Sequence, residues 1–306
     1  MVSFLQKVYM PLLHGVMKMA GVRPRAIEIE PGTVINTWVP IETGEKKVDD
    51  KPAVVFLHGF AADGILTWQF QVLALAKNYA VYVPDLLFFG GSITDKTDRS
   101  VGFQAECMAK ALRQLGVRRC TVVGLSYGGM VGFKMAEMYP ALVESMVVTG
   151  SVMALTESIS NAGLERIGFS SWSEYLLPKS VQGVKVLFHT ACYNFPWLPN
   201  CIFKDYLKTM FNNRKEKNEL LQALVISDKE FSIPNFPQRI HLLWGKDDKI
   251  FDMDTAYNLK EQIGEKAVVH AIEKSGHLAP MERPRVYNKQ LKKILTCLWE
   301  ENACKN

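Results

Sequence analysis

Residues Val122–Gly129, with the sequence VVGLSYGG, place a serine between two glycines directly after a run of β-branched residues. Residues 120–123 predict a short buried strand, and residues 130–138 predict a helix. Ser126 therefore lies on a tight strand-to-helix turn. Glycine at the second position on either side removes the Cβ atoms that would collide in such a turn. The turn holds the Ser126 hydroxyl beside the free N–H groups of a helix start, where a nucleophile is expected.

The composition is that of an ordinary globular chain. Its 306 residues, 48% hydrophobic and 22% charged, are enough for one large domain or two small ones. No apolar run approaches the roughly 18 residues that span a bilayer. The six cysteines form no Cys-x-x-Cys pair and no Cys/His cluster, which indicates reduced thiols, a cytoplasmic location and no metal. No P-loop or G-x-G-x-x-G motif is present, so we expect no cofactor.

The net charge of +5 is concentrated at the N-terminus, since residues 1–25 hold four basic residues and no acid. The remaining chain is close to neutral, which argues against a nucleic-acid-binding face. Residues 4–20 carry apolar side chains at helical spacing, and Pro11 predicts a kink or a split in that helix. Two interpretations of this amphipathic segment are open: a helix lying on a membrane surface, making a peripheral contact, and a helix packed on its own domain.

The rest of the chain alternates predicted strands with predicted helices. A hairpin around Pro31 and Gly32 is followed by strands at 53–57, 80–83, 120–123, 145–149, 239–244 and 267–272, with helices at 67–77, 104–115, 130–138, 255–263 and 285–300. This alternation predicts a mostly parallel, eight-stranded α/β sheet with helices on both faces. The alternation stops between about residues 151 and 237, where aromatic-rich helical sequence predicts an insertion over the C-terminal edge of the sheet.

A serine hydroxyl needs a base to become a good nucleophile, and His277 is the predicted base. His277 lies in a loop directly after the last predicted strand, which puts it at the same sheet edge as Ser126. The histidine needs a carboxylate to fix its tautomer, and Asp247 and Asp248 follow the preceding strand. From the residues alone, both aspartates remain candidates. The order serine, aspartate, histidine is the one expected for a hydrolytic triad on an α/β sheet.

The transition state of acyl transfer carries negative charge on an oxygen, which two backbone N–H groups should meet. One N–H is expected from Tyr127, the residue after the serine. The other is expected from Phe60, because Gly59 allows a sharp turn after the strand at 53–57. His58 is expected to support this loop rather than to act in catalysis.

Together these motifs resemble the α/β-hydrolase superfamily. The resemblance covers about residues 50–300 and is carried by the following stretches: His58-Gly59-Phe60, Pro84-Asp85-Leu86-Leu87-Phe88-Phe89-Gly90-Gly91-Ser92, Gly124-Leu125-Ser126-Tyr127-Gly128-Gly129, Gly245-Lys246-Asp247-Asp248 and Ser275-Gly276-His277. In that family the acid usually follows the glycine by three residues, which favours Asp248. The chain is similar to plant-type hydrolases labelled epoxide hydrolase-like or monoacylglycerol lipase-like. Epoxide hydrolases carry an aspartate nucleophile, whereas this chain carries Ser126, so epoxide hydrolysis is not expected.

The resemblance implies an α/β-hydrolase core at 25–151 and 237–306, a helical cap at 152–236 and an N-terminal helical segment at 1–24. The aromatic cap predicts a lipophilic ester substrate, aromatic (benzyl or phenolic) in character. The predicted substrate-binding residues are Phe60, Tyr127, Trp172, Phe188, Trp197 and Leu278. The function predicted is a serine carboxylesterase. A monoacylglycerol lipase, a slow-turnover hormone-type receptor and a lyase are the alternatives. A monomer and a homodimer are both open.

Overall fold

The computed structural model describes residues 3–41 and 51–303, with side chains described up to Glu301. The strands are β1 (Val22–Glu30), β2 (Thr33–Pro40), β3 (Ala53–Leu57), β4 (Ala80–Pro84), β5 (Ile93–Thr94), β6 (Cys120–Leu125), β7 (Val143–Thr149), β8 (Leu155–Thr156), β9 (Val225–Ile226), β10 (Arg239–Gly245) and β11 (Ala267–Ile272). The helices are α1 (Met10–Met19), α2 (Gly64–Leu75), α3 (Val101–Gln114), α4 (Tyr127–Met138), α5 (Glu157–Ile167), α6 (Trp172–Leu176), α7 (Val181–Ala191), α8 (Asn200–Met210), α9 (Arg214–Leu224), α10 (Met253–Ile263), α11 (Ala279–Glu282) and α12 (Pro284–Ala303).

Eight strands form the main sheet in the order β1-β2-β4-β3-β6-β7-β10-β11, and the short β5 pairs with β2 as a ninth. β1 and β2 are the antiparallel hairpin, β2 pairs antiparallel with β4, and every later neighbour is parallel. The parallel strands are nearly continuous apolar runs because both faces of the sheet are covered. The predicted α/β-hydrolase fold class is therefore confirmed.

Helices cover both faces of the sheet. Phe56 of β3 packs its ring on Trp68 of α2, and Trp68 in turn lies beside Tyr287 of α12. The next strand residue, Leu57, faces Gly132 of α4. Because successive strand residues point to opposite faces, α2 and α12 lie on one side and α4 lies on the other. The core of the protein is the pair of apolar layers between these helices and the sheet.

Two helices begin earlier than their apolar pattern predicts, because a polar residue caps each one. The Asp63 carboxylate accepts a hydrogen bond from the Leu66 N–H at 2.9 Å, so α2 starts at Gly64 rather than at residue 67. The Ser100 hydroxyl accepts one from the Phe103 N–H at 3.1 Å, so α3 starts at Val101. Such caps satisfy N–H groups that the first turn of a helix leaves without a partner.

The N-terminal segment is helical from residue 4 to residue 19 and does not split at Pro11, since its π-helical turn at Leu5–Tyr9 passes directly into α1. Leu13 and Met17 of α1 are buried against the core, whereas Leu12 and Met19 on its other side are 65% and 82% exposed. The segment therefore packs on its own domain and also leaves apolar side chains at the surface. No helix in residues 3–41 and 51–303 combines the length and the apolar character needed to cross a bilayer.

Residues 152–236, which we call the helical insertion, lie between β7 and β10 and contain α5 to α9. The chain enters through β8 and leaves through β9, and these two strands pair in parallel, with Leu155 opposite Val225. The backbone N–H of Leu278, beyond β11, donates a hydrogen bond to the Ala191 carbonyl at the end of α7. The insertion is thus joined to the core both at its two connections and next to the His277 loop.

Candidate active site

The predicted site residues follow four parallel strands at the same edge of the sheet. Phe60 comes after β3, Ser126 after β6, Asp248 after β10 and His277 after β11. The carboxyl ends of parallel strands meet at one edge, so residues far apart in sequence become neighbours there. Ser126, His277 and Phe60 all line one cavity at this edge.

Ser126 occupies a strained turn between β6 and α4. Its φ of 53° and ψ of −121° are outside the conformations that a non-glycine residue adopts easily. Two glycines make the turn possible. A Cβ on Gly124 would lie 2.7 Å from the Gly129 Cα, and a Cβ on Gly128 would lie 2.3 Å from the Leu57 carbonyl oxygen. The tight packing exposes the Ser126 hydroxyl to the cavity at the N-terminus of α4.

Asp248, not Asp247, forms the hydrogen bond with His277. Nδ1 of His277 lies 2.8 Å from Oδ2 of Asp248, and both side chains are buried. The other carboxylate oxygen accepts hydrogen bonds from the N–H groups of Ile250 and Phe251, at 2.8 and 3.0 Å. An ionised carboxylate can only accept, so Nδ1 of His277 carries a proton and its Nε2 is left free to accept one.

The His277 loop is held by Glu282, a residue that the sequence analysis did not select. Its carboxylate accepts the N–H of Gly276 at 2.7 Å, immediately before His277. It also accepts the N–H groups of Tyr193 and Asn194, at 3.1 and 2.6 Å, from the helical insertion. The available signal was an acid five residues after the histidine and ahead of Pro284. We call these three hydrogen bonds the Glu282 clamp.

The two residues expected to supply the oxyanion donors pack against each other through their side chains. The rings of Phe60 and Tyr127 are 5.7 Å apart, and a Cβ on Gly59 would be 3.4 Å from the Ser126 Cβ. Tyr127 is the first residue of α4, and N–H groups in the first turn of a helix have no acceptor within the helix. The loop after β3 and the first turn of α4 therefore both lie next to Ser126.

His58 supports this loop from behind and is fully buried. Its Nε2 accepts the Leu86 N–H at 2.9 Å, and its Nδ1 lies 2.7 Å from the Gly59 carbonyl oxygen. Burial lowers the pKa of His58 to about 4, so the ring is neutral at pH 7. With Nε2 accepting, Nδ1 carries the proton and donates it to Gly59, which fixes the backbone beside Phe60.

The cavity above Ser126 is apolar. It is enclosed by the core and by the helical insertion, and five of the six predicted substrate-binding residues line it: Phe60, Tyr127, Trp172, Phe188 and Leu278. Two of its three lining tyrosines already use their hydroxyls, since Tyr206 donates to the Ala61 carbonyl at 2.7 Å and Tyr175 to the Leu187 carbonyl at 3.2 Å. The described lining residues include no lysine, arginine, aspartate or glutamate.

The prediction that Trp197 binds substrate is wrong. Trp197 lies in the loop between α7 and α8, is 85% exposed and does not line the cavity. The neighbouring aromatic residue Phe195 turns inward instead, and its ring stacks on Phe188 at 4.9 Å. Aromatic content alone could not separate these two loop residues, because the loop has no periodicity from which to infer a side-chain direction.

A family model described as "alpha/beta hydrolase fold" matches residues 52–284. Monoacylglycerol lipase abhd6-A of Xenopus laevis is 25% identical over 268 residues, covering 84% of this chain and 79% of the relative. An uncharacterized protein of Mycobacterium tuberculosis is 35% identical over 100 residues, and the match covers 33% of this chain but only 29% of that protein.

Among solved structures, lip1 of Acinetobacter baumannii AYE, described as a candidate lipase, superposes with a TM-score of 0.80 at 20% identity. The match covers 96% of this chain and 97% of that one, and at this identity it shows the shared fold alone. The family match extends from β3 through the Ser126 turn to the His277 loop. By this match the chain belongs to the α/β-hydrolase family.

Proposed function

We propose that the protein is a serine carboxylesterase that hydrolyses a neutral, lipophilic ester through an acyl-enzyme. The observation that carries this proposal is the strained Ser126 turn, which opens into the same apolar cavity as a histidine whose Nδ1 is held by Asp248. A serine activated by a histidine that a carboxylate orients is the arrangement that acyl transfer requires.

The reaction follows from the positions of these groups. Ser126 Oγ attacks the ester carbonyl carbon while His277 Nε2 takes the hydroxyl proton, and the carbonyl oxygen becomes an oxyanion facing the N–H groups of Phe60 and Tyr127. His277 then gives the proton to the departing alcohol, which leaves an acyl group on Ser126. A water molecule, deprotonated by His277, attacks this acyl group and releases the carboxylic acid. Asp248 stabilises the histidine cation in both halves of the reaction.

The polarity of the cavity supports a neutral substrate. A carboxylate elsewhere on the ester would be buried among apolar side chains without a cationic partner, which costs several kcal/mol or more. Aromatic walls at Trp172, Phe188 and Phe251 suit a benzyl or phenolic group, and they suit an acyl chain equally well. The resemblance to a monoacylglycerol lipase makes a monoacylglycerol the second candidate substrate.

The test is a time course of 4-nitrophenyl butyrate hydrolysis by the wild-type protein and by Ser126→Ala. We expect many turnovers from the wild type and a loss of at least about 10³-fold in kcat for the variant. Ser227→Ala, which removes a serine hydroxyl outside the cavity, is the control and should keep full activity. A single burst of one equivalent followed by no turnover would instead support the slow-turnover receptor.

Covalent labelling gives an independent measurement. A fluorophosphonate reacts with an activated serine and should modify the wild type and Ser227→Ala at one site, and Ser126→Ala at none. Equal hydrolysis by wild type and Ser126→Ala, with labelling that persists in Ser126→Ala, would overturn the assignment of the nucleophile. Circular dichroism melts of all three proteins establish that the variants are folded.

A further inference from the structure

The cavity above Ser126 is too small for a long substrate. Its volume is about 70 Å³. By the same measure, the two cavities beside it have volumes of about 410 and 480 Å³. A longer acyl or alkyl chain must therefore extend beyond this cavity, and the walls of the cavity decide in which direction.

A second cavity of about 410 Å³ lies on the other side of one of these walls. Three apolar residues line both cavities, namely Met130, Leu155 and Leu224. Met130 is one turn along α4 from the nucleophile, and its N–H bonds to the Ser126 carbonyl. The wall therefore begins immediately beside the reacting group.

This wall consists of side chains that can move at little cost. Met130 is an unbranched thioether that repacks easily. Leu155 and Leu224 lie at the two connections of the helical insertion, where β8 pairs with β9 through only two residues on each strand. Displacing these three side chains breaks apolar contacts and no side-chain hydrogen bond.

A third cavity, of about 480 Å³, also adjoins the site but has a fixed wall. That wall is formed by Ile250 and Phe251, whose N–H groups both donate to Asp248. Their carbonyls accept hydrogen bonds as well, from the Arg166 guanidinium at 2.9 Å and from the Trp244 indole at 2.8 Å. Opening this wall would displace the carboxylate that holds His277.

We propose that the second cavity holds the far end of a long hydrocarbon chain of the ester, which enters between Leu155 and Leu224. The proposal rests on the proposed function and names its substrate class as long-chain esters. The interior of the second cavity suits such a chain, since Phe133, Phe236 and Leu155 provide apolar surface there. The charged residues of its lining are Lys134, Glu137 and Glu230. The first two form an ion pair, and all three are at least partly exposed, so these groups stay at the solvent side of the cavity.

The test compares one substitution in two places. Ala223 is exposed and lines only the second cavity, whereas Ala162 is exposed and lines only the third. Ala223→Trp should fill the proposed chain site, and Ala162→Trp is the matched control. Both lie on the outside of helices, so both variants should fold.

The measurement is kcat/KM for 4-nitrophenyl esters with acyl chains from 2 to 12 carbons and for the acetates of alcohols with the same chain lengths. Each buried methylene should raise the wild-type kcat/KM by up to about fourfold once the chain passes Leu155 and Leu224. We expect Ala223→Trp to lower kcat/KM at least tenfold for the 12-carbon ester of one series, either the acyl or the alcohol series. For the shortest esters of both series, the loss should be less than twofold. An equal effect at all lengths, or a selective effect of Ala162→Trp, would overturn the proposal.

Binding without turnover separates this proposal from the proposed function. In the Ser126→Ala protein, calorimetry with 1-decanol should show binding that Ala223→Trp weakens at least tenfold and Ala162→Trp leaves unchanged. If no ester is hydrolysed but 1-decanol binds in this pattern, the proposed function fails and the chain site stands. If esters are hydrolysed and Ala223→Trp leaves the affinity for 1-decanol unchanged, only the proposal of the chain site fails.

Discussion

The two carboxylate oxygens of Asp248 have different partners, and that difference explains why this aspartate, rather than its neighbour, suits the site. One oxygen faces His277 and the other accepts two backbone N–H groups, so the side chain is held in a single orientation. Asp247 is half-exposed, and its backbone N–H is bound to the Ser275 carbonyl. A tightly bound carboxylate fixes the tautomer of the histidine, which a solvated one does less well.

Replacing one carboxylate oxygen by an amide nitrogen, in Asp248 and separately in Asp247, should therefore show which of the two aspartates acts with His277. Asp248→Asn keeps an acceptor for Ile250 and Phe251 but puts an amide donor opposite His277, which forces the ring into the wrong tautomer. We expect kcat to fall by about 10³–10⁴-fold. Asp247→Asn is the control and should stay within about threefold of wild type. Steady-state kinetics with 4-nitrophenyl butyrate measures both, and similar losses in the two variants would contradict the assignment.

At the scale of the elements, the Ser126 turn works because β6, α4 and the loop after β3 approach one another without side chains between them. A Cβ on Gly128 would meet two backbone oxygens, those of Leu57 and His58, at 2.3 and 2.5 Å. Backbone atoms in a parallel sheet cannot move aside as the end of a flexible side chain can. The same contact sets the distance between the Ser126 turn and the Phe60 loop. A substitution that disturbs it should therefore change both the stability of the fold and the geometry of the site.

Gly128→Ala should consequently lower the free energy of unfolding by about 3 kcal/mol or more and remove esterase activity, because the turn and the Phe60 loop must separate. Gly102→Ala is the matched control. Gly102 is also a helical glycine, and its Cβ would come no closer than 3.7 Å to Ser100 Oγ. We expect Gly102→Ala to stay within about 1 kcal/mol of wild type. Urea unfolding measures both, and a Gly128→Ala protein of normal stability would contradict the prediction.

At the scale of the whole molecule, the Glu282 clamp joins the helical insertion to the core at the catalytic histidine. One oxygen of the clamp binds both Gly276 and Tyr193, and the other binds Asn194. The two chain segments touch closely here, since a Cβ on Gly276 would lie 2.6 Å from the Ala191 carbonyl oxygen. The position of His277 and the closure of the insertion over the cavity are therefore set by the same contact.

Glu282→Gln tests this connection. The amide has one acceptor oxygen in place of two, so at least one of the three N–H groups loses its partner, at a cost of about 1–3 kcal/mol in the free energy of unfolding. We expect kcat to fall about tenfold, because His277 is then held less firmly opposite Ser126. Glu273→Gln is the control, because the Glu273 side chain is 70% exposed and forms an ion pair with the exposed Lys246. A lower stability with an unchanged kcat in Glu282→Gln would show that the clamp is merely structural.

Much of this protein follows from local patterns in the sequence. The strands Ala53–Leu57 and Ala267–Ile272 have the bounds that the sequence predicts. Ala53–Leu57 lies inside the sheet and is covered on both faces, which requires an uninterrupted apolar stretch. The Gly-x-Ser-x-Gly spacing around Ser126 likewise determines its own turn, since only glycine fits where the backbone segments touch. Strand order then brings Ser126, Asp248 and His277 to one edge.

Only the tertiary structure decides the contacts between segments without periodicity. It separates Asp248 from Asp247, turns Phe195 inward and Trp197 outward, and joins Glu282 to a loop about 90 residues away. It also shows that Leu155 and Leu224, distant in sequence, form one wall between two cavities. The local pattern of apolar residues in the sequence indicates which face of a helix or strand is apolar. The direction of a loop side chain depends instead on which other segment packs against it, and that is settled only when the chain is folded.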